Sequence, residues 1–222
     1  HDFETIRNFF PDNTNIRAVE KTLLEIADLL IVHNDKMKDI FINQLEFAAS
    51  KIVSLGIFDY LCEGEIDNQR FDKNTITIAG NLDPKKCEYV YKLKDQCRSL
   101  RFFLYGVNYN ESKVEDNTTY CGSVAPDVLP NIIKGGFGLV WDGNSADSCI
   151  GRYGNYLRYN NPHKLSMYLV ATLPVIVWRE SAVSDFVLEN GVGLSVSSIR
   201  EAVEKVNGLS AEDYQKMRDR CA

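Results

Sequence analysis

The sequence predicts an α/β protein of Rossmann-type parallel sheets, and three observations support that class. Short runs rich in β-branched residues alternate with amphipathic segments along most of the 222 residues, the pattern of strand–helix–strand units with parallel strands. Those runs are apolar almost throughout, as strands covered on both faces are. The segment 160–171 reads as a capped helix start that feeds a β-branched strand at 174–178.

The elements follow in order. Over residues 16–24 and just beyond, Val19, Leu23, Leu24 and Ala27 form one helical face, and residues 28–33 are a short buried strand. Asn34 can cap the next helix, 35–44, whose apolar positions are Met37, Ile40 and Phe41. Residues 51–58 read as a second strand. Polar and charged residues then dominate up to Asn74, which marks a linker. After it the alternation restarts, with strands at 75–79, 100–105, 137–141, 174–178 and 193–196. Helices are predicted at 84–94, 127–133, 163–171, 182–189, 199–206 and 214–222. The organisation is therefore a remnant of one Rossmann-like domain over 1–62, a linker over 63–73, and a near-complete second domain over 74–222.

A formal net charge of −6 and a pI near 5.2 argue against a general nucleic-acid or anionic-membrane binder, so any anion site is local. The six cysteines are scattered without a C-x-x-C pair, which suggests neither a zinc site nor a redox motif. A chain able to build this much core has no need of disulfides. With no leader and no run long enough to span a bilayer, the expected location is the bacterial cytoplasm. Asn110 and Asn117 match the glycosylation tripeptide, a chance pattern without meaning there.

Three stretches carry candidate chemistry. Asn161 has the side chain of an N-cap, Pro162 suits the first helical position, and His163 and Lys164 occupy the first turn beside free N–H groups, ahead of Leu165. That arrangement seats a phosphate at the positive end of the helix dipole, although a first-turn lysine is also commonly just solvated. Gly80 and Asn81 end the first strand of the second domain, and Asp83-Pro84 then open a helix with Lys85 and Lys86 in its first turn. The loop lies where ligands bind in open α/β sheets, and it equally fits an ordinary turn with two solvated lysines. The glycine-rich run from Gly135 to Gly143, including Phe137 and Gly138, lacks the G-x-G-x-x-G spacing, but its Trp141-Asp142 end lines the same crevice. Arg152, Tyr153 and Tyr156 fall in a long Gly- and Tyr-rich loop. His1 and Asp2, as a bare terminal pair, carry no signal on sequence physics alone.

Together, Ala79-Gly80-Asn81-Leu82, the run Gly136 to Trp141, and Asn160 to Ser166 followed by Leu173 to Val177 resemble a bacterial sugar-transferase family. Its members are the glucosyltransferases that extend sugars on serine-rich adhesins and the related β-1,6-galactofuranosyltransferases. The resemblance spans nearly the whole chain, and the last stretch is its most specific part. It implies the GT-B fold, two Rossmann-like domains facing each other across a cleft. It also implies that a hexose, glucose or galactofuranose, moves from a UDP-sugar to a surface glycan or glycoprotein acceptor. The second domain would hold the UDP-sugar through Gly80, Asn81, Phe137, Gly138, Asn160, Asn161, Pro162, His163, Lys164 and Leu165. Lys164 would contact the diphosphate, and Lys85 or Lys86 would match the basic residue after the Gly-Asn turn. His1 and Asp2 fall at the family's His-Asp pair, which makes them the catalytic candidates on the acceptor side of the cleft.

Departures are few. Thr172 stands where a glycine is common and Cys87 where a serine is common. Family members carry further residues on both sides, so this chain is expected to be a poorly active segment, its first part leaving apolar faces open and favouring self-association. The chain lacks an Asp-x-Asp cluster, and the helix start with Lys164 can stabilise the leaving diphosphate, so neither metal nor other cofactor is expected. Two other readings remain: a non-catalytic nucleotide-sugar-binding module or partner subunit of a glycosylation complex, and a Rossmann-type epimerase. The epimerase should show G-x-G-x-x-G, which is absent.

Overall fold

The computed structural model describes residues 3–8, 10, 12–64, 66, 71–113 and 116–221, so His1 and Asp2 lie outside the described residues. The first part contains α1 (Glu4–Arg7), α2 (Thr14–Ile26), β1 (Leu30–Val32), α3 (Asp35–Asn43) and β2 (Ile52–Ser54). Local chemistry starts its helices. Asn13 and Asn34 accept the N–H groups of Ile16 and Met37, and the buried carboxylate of Glu20 accepts the N–H and hydroxyl of Thr5 at 2.9 and 2.7 Å. β1 and β2 pair in parallel, Leu30 opposite Ile52, and pack Val32 and Ile52 against Met37 and Phe41 of α3.

Of the face predicted for α2, only Leu24 packs onto this core. Val19 and Leu23 are exposed, as are Ile26, Leu29, Ile31, Val53 and Leu55. Two strands offer too little surface to cover an amphipathic helix and both of their own faces.

The second part runs through β3 (Thr75–Asn81), α4 (Leu93–Gln96), β4 (Arg101–Val107), β5 (Thr118–Tyr120), α5 (Leu129–Ile132), β6 (Phe137–Val140), α6 (Gly151–Tyr156) and α7 (His163–Val170). It ends with β7 (Val175–Trp178), α8 (Ser184–Asn190), β8 (Gly193–Val196), α9 (Ile199–Gly208) and α10 (Ala211–Asp219). Its strands form one parallel sheet in the order β5-β4-β3-β6-β7-β8. This is the doubly wound order, with a topological switch point between β3 and β6.

Side chains alternate between two cores. Leu139, Trp141, Ile176 and Trp178 face one side with Ile199 and Val206 of α9, while Val140, Val175 and Val177 face the other with Leu165 and Tyr168 of α7. Burial on both faces is why these strands read as continuous apolar runs.

Several expectations are corrected. The helix predicted at 84–94 is a turn, a 3-10 segment at Glu88–Lys92 and the four-residue α4. Asn81 Oδ1 takes the N–H of Asp83 at 3.0 Å and Asp83 Oδ1 takes that of Lys85 at 2.8 Å, so side-chain turns replace the first helical turn. Residues 151–156, read as loop, form α6. Phe137 and Gly138, assigned to the binding site, belong to the core instead. Phe137 is fully buried against the Tyr214 ring, centroids 5.3 Å apart. A Cβ at Gly138 would stand 2.1 Å from the ring of Tyr168, whose hydroxyl accepts the N–H of Ala79 at 2.8 Å. Glycine there lets α7 close onto the sheet.

Candidate functional site

A cleft of about 410 Å³ opens at the carboxyl ends of β3 and β6, outside the switch point where doubly wound sheets take their ligands. Gly80, Asn81 and Lys86 form its β3 side, Asp142 its β6 side, and Asn160 to Lys164 its rim. Gly80 has φ +131°, a conformation that favours glycine and turns the backbone outward before Asn81.

The first part of the chain supplies the remaining wall, through His33 and Phe58. Asn161 ties that wall on. Its backbone N–H donates to His33 Nδ1 at 3.1 Å, its side-chain amide donates to the carbonyls of His33 and Gly56, and its Oδ1 accepts from Asn34 Nδ2 at 2.7 Å. Asn161 is therefore not the N-cap of α7. Pro162, with φ −68° and ψ 129°, takes that position, because the Asn161 amide is committed to buried carbonyls. His163 stacks on Phe58 with centroids 4.1 Å apart, and Ser166 donates its hydroxyl to the Phe58 carbonyl.

Lys164 is held rather than solvated. Its Nζ donates to Asp142 Oδ1 and to the Trp141 carbonyl, each at 3.0 Å, with the lysine and aspartate side chains only 17% and 15% exposed. An ammonium has three N–H bonds, so two fixed ones aim the third. Leu165 is fully buried beneath the rim and Lys85 is exposed, so neither lines the cleft. Lys86 does, and its carbonyl accepts the N–H of Gly143 at 3.0 Å, joining the two sides. Burial pushes the Cys87 thiol up to about 12, with Asp142 adding to the effect and Lys164 opposing it. At neutral pH Cys87 is thus an uncharged thiol and no nucleophile.

Beside the cleft lies an apolar cavity of about 390 Å³, walled by Tyr60, Tyr105, Val124 and Leu129. Within this wall Tyr60 donates its hydroxyl to the Pro126 carbonyl at 2.7 Å. The two spaces share Ala79, Gly80, His163 and Lys164. Among the described residues no group of three His, Cys, Asp or Glu side chains is placed to hold a metal ion, and no helix is long and apolar enough to cross a membrane.

The family model described as "Glucosyltransferase 3-like, C-terminal domain" matches residues 76–222, and its N-terminal counterpart matches 1–57. The chain belongs to the Glucosyltransferase 3-like family. Among curated relatives of this Glucosyltransferase 3-like chain, the beta-1,6-galactofuranosyltransferase WbbI of Escherichia coli is 36% identical over 199 residues, covering 87% of this chain and 57% of the relative. Glucosyltransferase 3 of Streptococcus gordonii is 29% identical over 216 residues, covering 95% of this chain and 60% of the relative. The chain thus spans somewhat over half the length of the curated relatives it matches. In fold it is similar to HepE of Anabaena, solved in complex with UDP and glucose, with TM-score 0.60, 13% identity, and coverage of 100% of this chain and 63% of that one. The fold is GT-B.

Sequence reading missed His33 and Phe58. The signal was present for both, since His33 ends the predicted strand 28–33 and Phe58 the predicted strand 51–58, and parallel sheets bind ligands at the carboxyl ends of their strands.

Proposed function

We propose that this chain carries the donor site of a metal-independent glycosyltransferase, one that moves a hexose from a UDP-sugar to a glycan or glycoprotein acceptor in the bacterial cytoplasm. One observation supports the reading above all. An apolar cavity and a polar cleft meet at a waist shared by Gly80, His163 and Lys164, a succession that suits a base, a diphosphate and a sugar in turn. The base would fill the cavity beside Tyr105 and Val124, the diphosphate would lie at the waist, and the sugar would face Asn160 and the first-part wall.

In transfer the bond between the sugar's anomeric carbon and the diphosphate oxygen breaks with its electron pair going to UDP, and a bond forms from that carbon to an acceptor hydroxyl oxygen whose proton passes to a base on the acceptor side. Negative charge grows on the leaving UDP. Lys164, Lys86 and the first turn of α7 meet that charge, which is the largest electrostatic demand of such a reaction. These groups supply the positive field without a divalent ion. His1 and Asp2 remain the proposed acceptor-side catalytic pair. Similarity to a beta-1,6-galactofuranosyltransferase and to Glucosyltransferase 3 favours galactofuranose or glucose as the sugar.

Calorimetry with UDP in excess chelator tests the donor site, and a transfer assay with UDP-glucose, UDP-galactopyranose and UDP-galactofuranose on the full-length protein tests the activity. Heat that appears only when magnesium or manganese is restored would overturn metal independence. UDP binding without transfer or donor hydrolysis would favour a non-catalytic nucleotide-sugar-binding subunit.

A further inference from the structure

Asn160 is the odd member of the rim. Its neighbour Asn161 has every side-chain hydrogen-bonding group committed, whereas the buried Oδ1 of Asn160 has no hydrogen-bond partner among the described residues. A buried acceptor left open costs free energy, and native proteins satisfy nearly all such groups. Asn160 lines the cleft, with Asn161 and Lys164 further along the same rim, and its Oδ1 is buried at the edge of that space. Its place is also fixed. The Asn160 N–H donates to the Tyr156 carbonyl at 3.1 Å, and the preceding carbonyl, of Tyr159, accepts from Asn34 Nδ2 at 2.9 Å. The backbone that carries this acceptor is therefore held on both sides.

The partner must be a donor. A phosphate oxygen at neutral pH cannot supply a proton, so the diphosphate does not satisfy Oδ1. Asn160 lines the polar cleft but not the apolar cavity, which separates it from the proposed seat of the base and of the ribose that joins the base to the diphosphate. Sugar hydroxyls remain. We infer that Asn160 is a specificity-determining residue, whose Oδ1 accepts a hydrogen bond from a hydroxyl of the transferred sugar. The inference rests on the donor-site reading above and adds that sugar recognition is separable from nucleotide recognition at this one atom. Sites built to pair a substrate hydroxyl reject ligands lacking it, because the protein group is then left unpaired.

The test compares UDP with UDP-glucose, UDP-galactopyranose and UDP-galactofuranose by calorimetry on the whole chain, for wild type, Asn160→Ala and Asn160→Asp. On the wild type, at least one sugar donor should bind more tightly than UDP. Asn160→Ala should leave UDP affinity within about twofold and weaken that donor roughly three- to tenfold, the worth of one neutral hydrogen bond. Asn160→Asp keeps an acceptor, so it should retain the donor-to-UDP ratio even if its charge weakens both ligands. An equal loss for UDP and donor in Asn160→Ala, an unchanged ratio, or a wild type that prefers no donor over UDP each overturns the inference. A wild type that binds no UDP at all overturns the donor-site reading instead. Melting temperatures of both variants separate a lost contact from a lost fold.

Discussion

The backbone N–H of Asn161 donates to Nδ1 of His33 across 3.1 Å, joining residues 128 positions apart. Because an amide N–H can only donate, Nδ1 of His33 is unprotonated in this bond, and the ring proton sits on Nε2. The run that carries Lys164 is thus the run that fastens the first part of the chain to the switch point.

Asn161→Ala would leave the carbonyls of His33 and Gly56 and the amide of Asn34 short of a partner in a site where Asn161 is 3% exposed. The expected cost is roughly 2–4 kcal/mol, the penalty for stranding more than one buried polar group. Chemical denaturation measures it. The loss should fall first on residues 14–54, seen as early hydrogen exchange of β1 and β2, and uniform loosening of both parts would contradict the clasp.

Lys164→Ala should weaken UDP binding by roughly 1.5–3 kcal/mol, the range for a charge-assisted hydrogen bond, and leave uridine binding nearly unchanged. Asp142 is the opposing term. Its carboxylate, 3.0 Å from Nζ, cancels part of the charge offered to the diphosphate. Asp142→Asn keeps the acceptor and removes the charge, so it should tighten UDP by about 1 kcal/mol. In a Lys164→Ala background the carboxylate has lost its counter-charge, so the gain from Asp142→Asn should be at least as large. Calorimetry on the four proteins of the cycle decides it.

Adjacent lysines should behave differently. Lys86→Ala should weaken UDP binding measurably, whereas Lys85→Ala, at an exposed position outside the cleft, should stay within about 0.5 kcal/mol of wild type. Equal effects would mean that both act only through long-range charge, which raising the salt concentration would abolish.

The legible parts of this molecule are those where one physical term dominates. Five of the six strands of the second sheet were readable because burial on both faces selects apolar, β-branched runs. β5 was not, since Thr118–Tyr120 is a three-residue edge strand with a polar sequence. The helix over 84–94 failed where Asn81 and Asp83 side chains compete locally with helical bonds. At the site, Gly80, Asn81, Lys86, His163 and Lys164 come together as their positions at strand and helix ends imply. What sequence could not reveal was the fate of each polar group. Asn161 was read as a cap from its type and place, and only the tertiary fold brings the carbonyls of His33 and Gly56 to its amide.

Thr172 follows α7 with φ +55°, a left-handed conformation unfavourable for a β-branched residue. Thr172→Gly removes the Cβ conflict at some cost in unfolded-chain entropy, for a net stabilisation of about 0.5–1.5 kcal/mol. A melting temperature equal to or below wild type would show that contacts of the threonine side chain outweigh the strain.

Cys87 allows a test with a defined sign. Burial raises its thiol from 9.0 to about 12, so above pH 9 the unfolded chain loses this proton while the folded chain keeps it. A raised folded value contributes stability that is fully present below pH 9 and lost as pH climbs toward 12. Cys87→Ser has no thiol to ionise. Relative to wild type, the serine variant should therefore gain about 1 kcal/mol between pH 8 and pH 10, whatever its cost at pH 8 from exchanging a buried sulfur for a hydroxyl. Urea unfolding of both proteins at the two pH values gives the difference directly. A constant difference would mean that the Cys87 thiol ionises alike in folded and unfolded chains, and that the cleft is wetter around this residue than its burial implies.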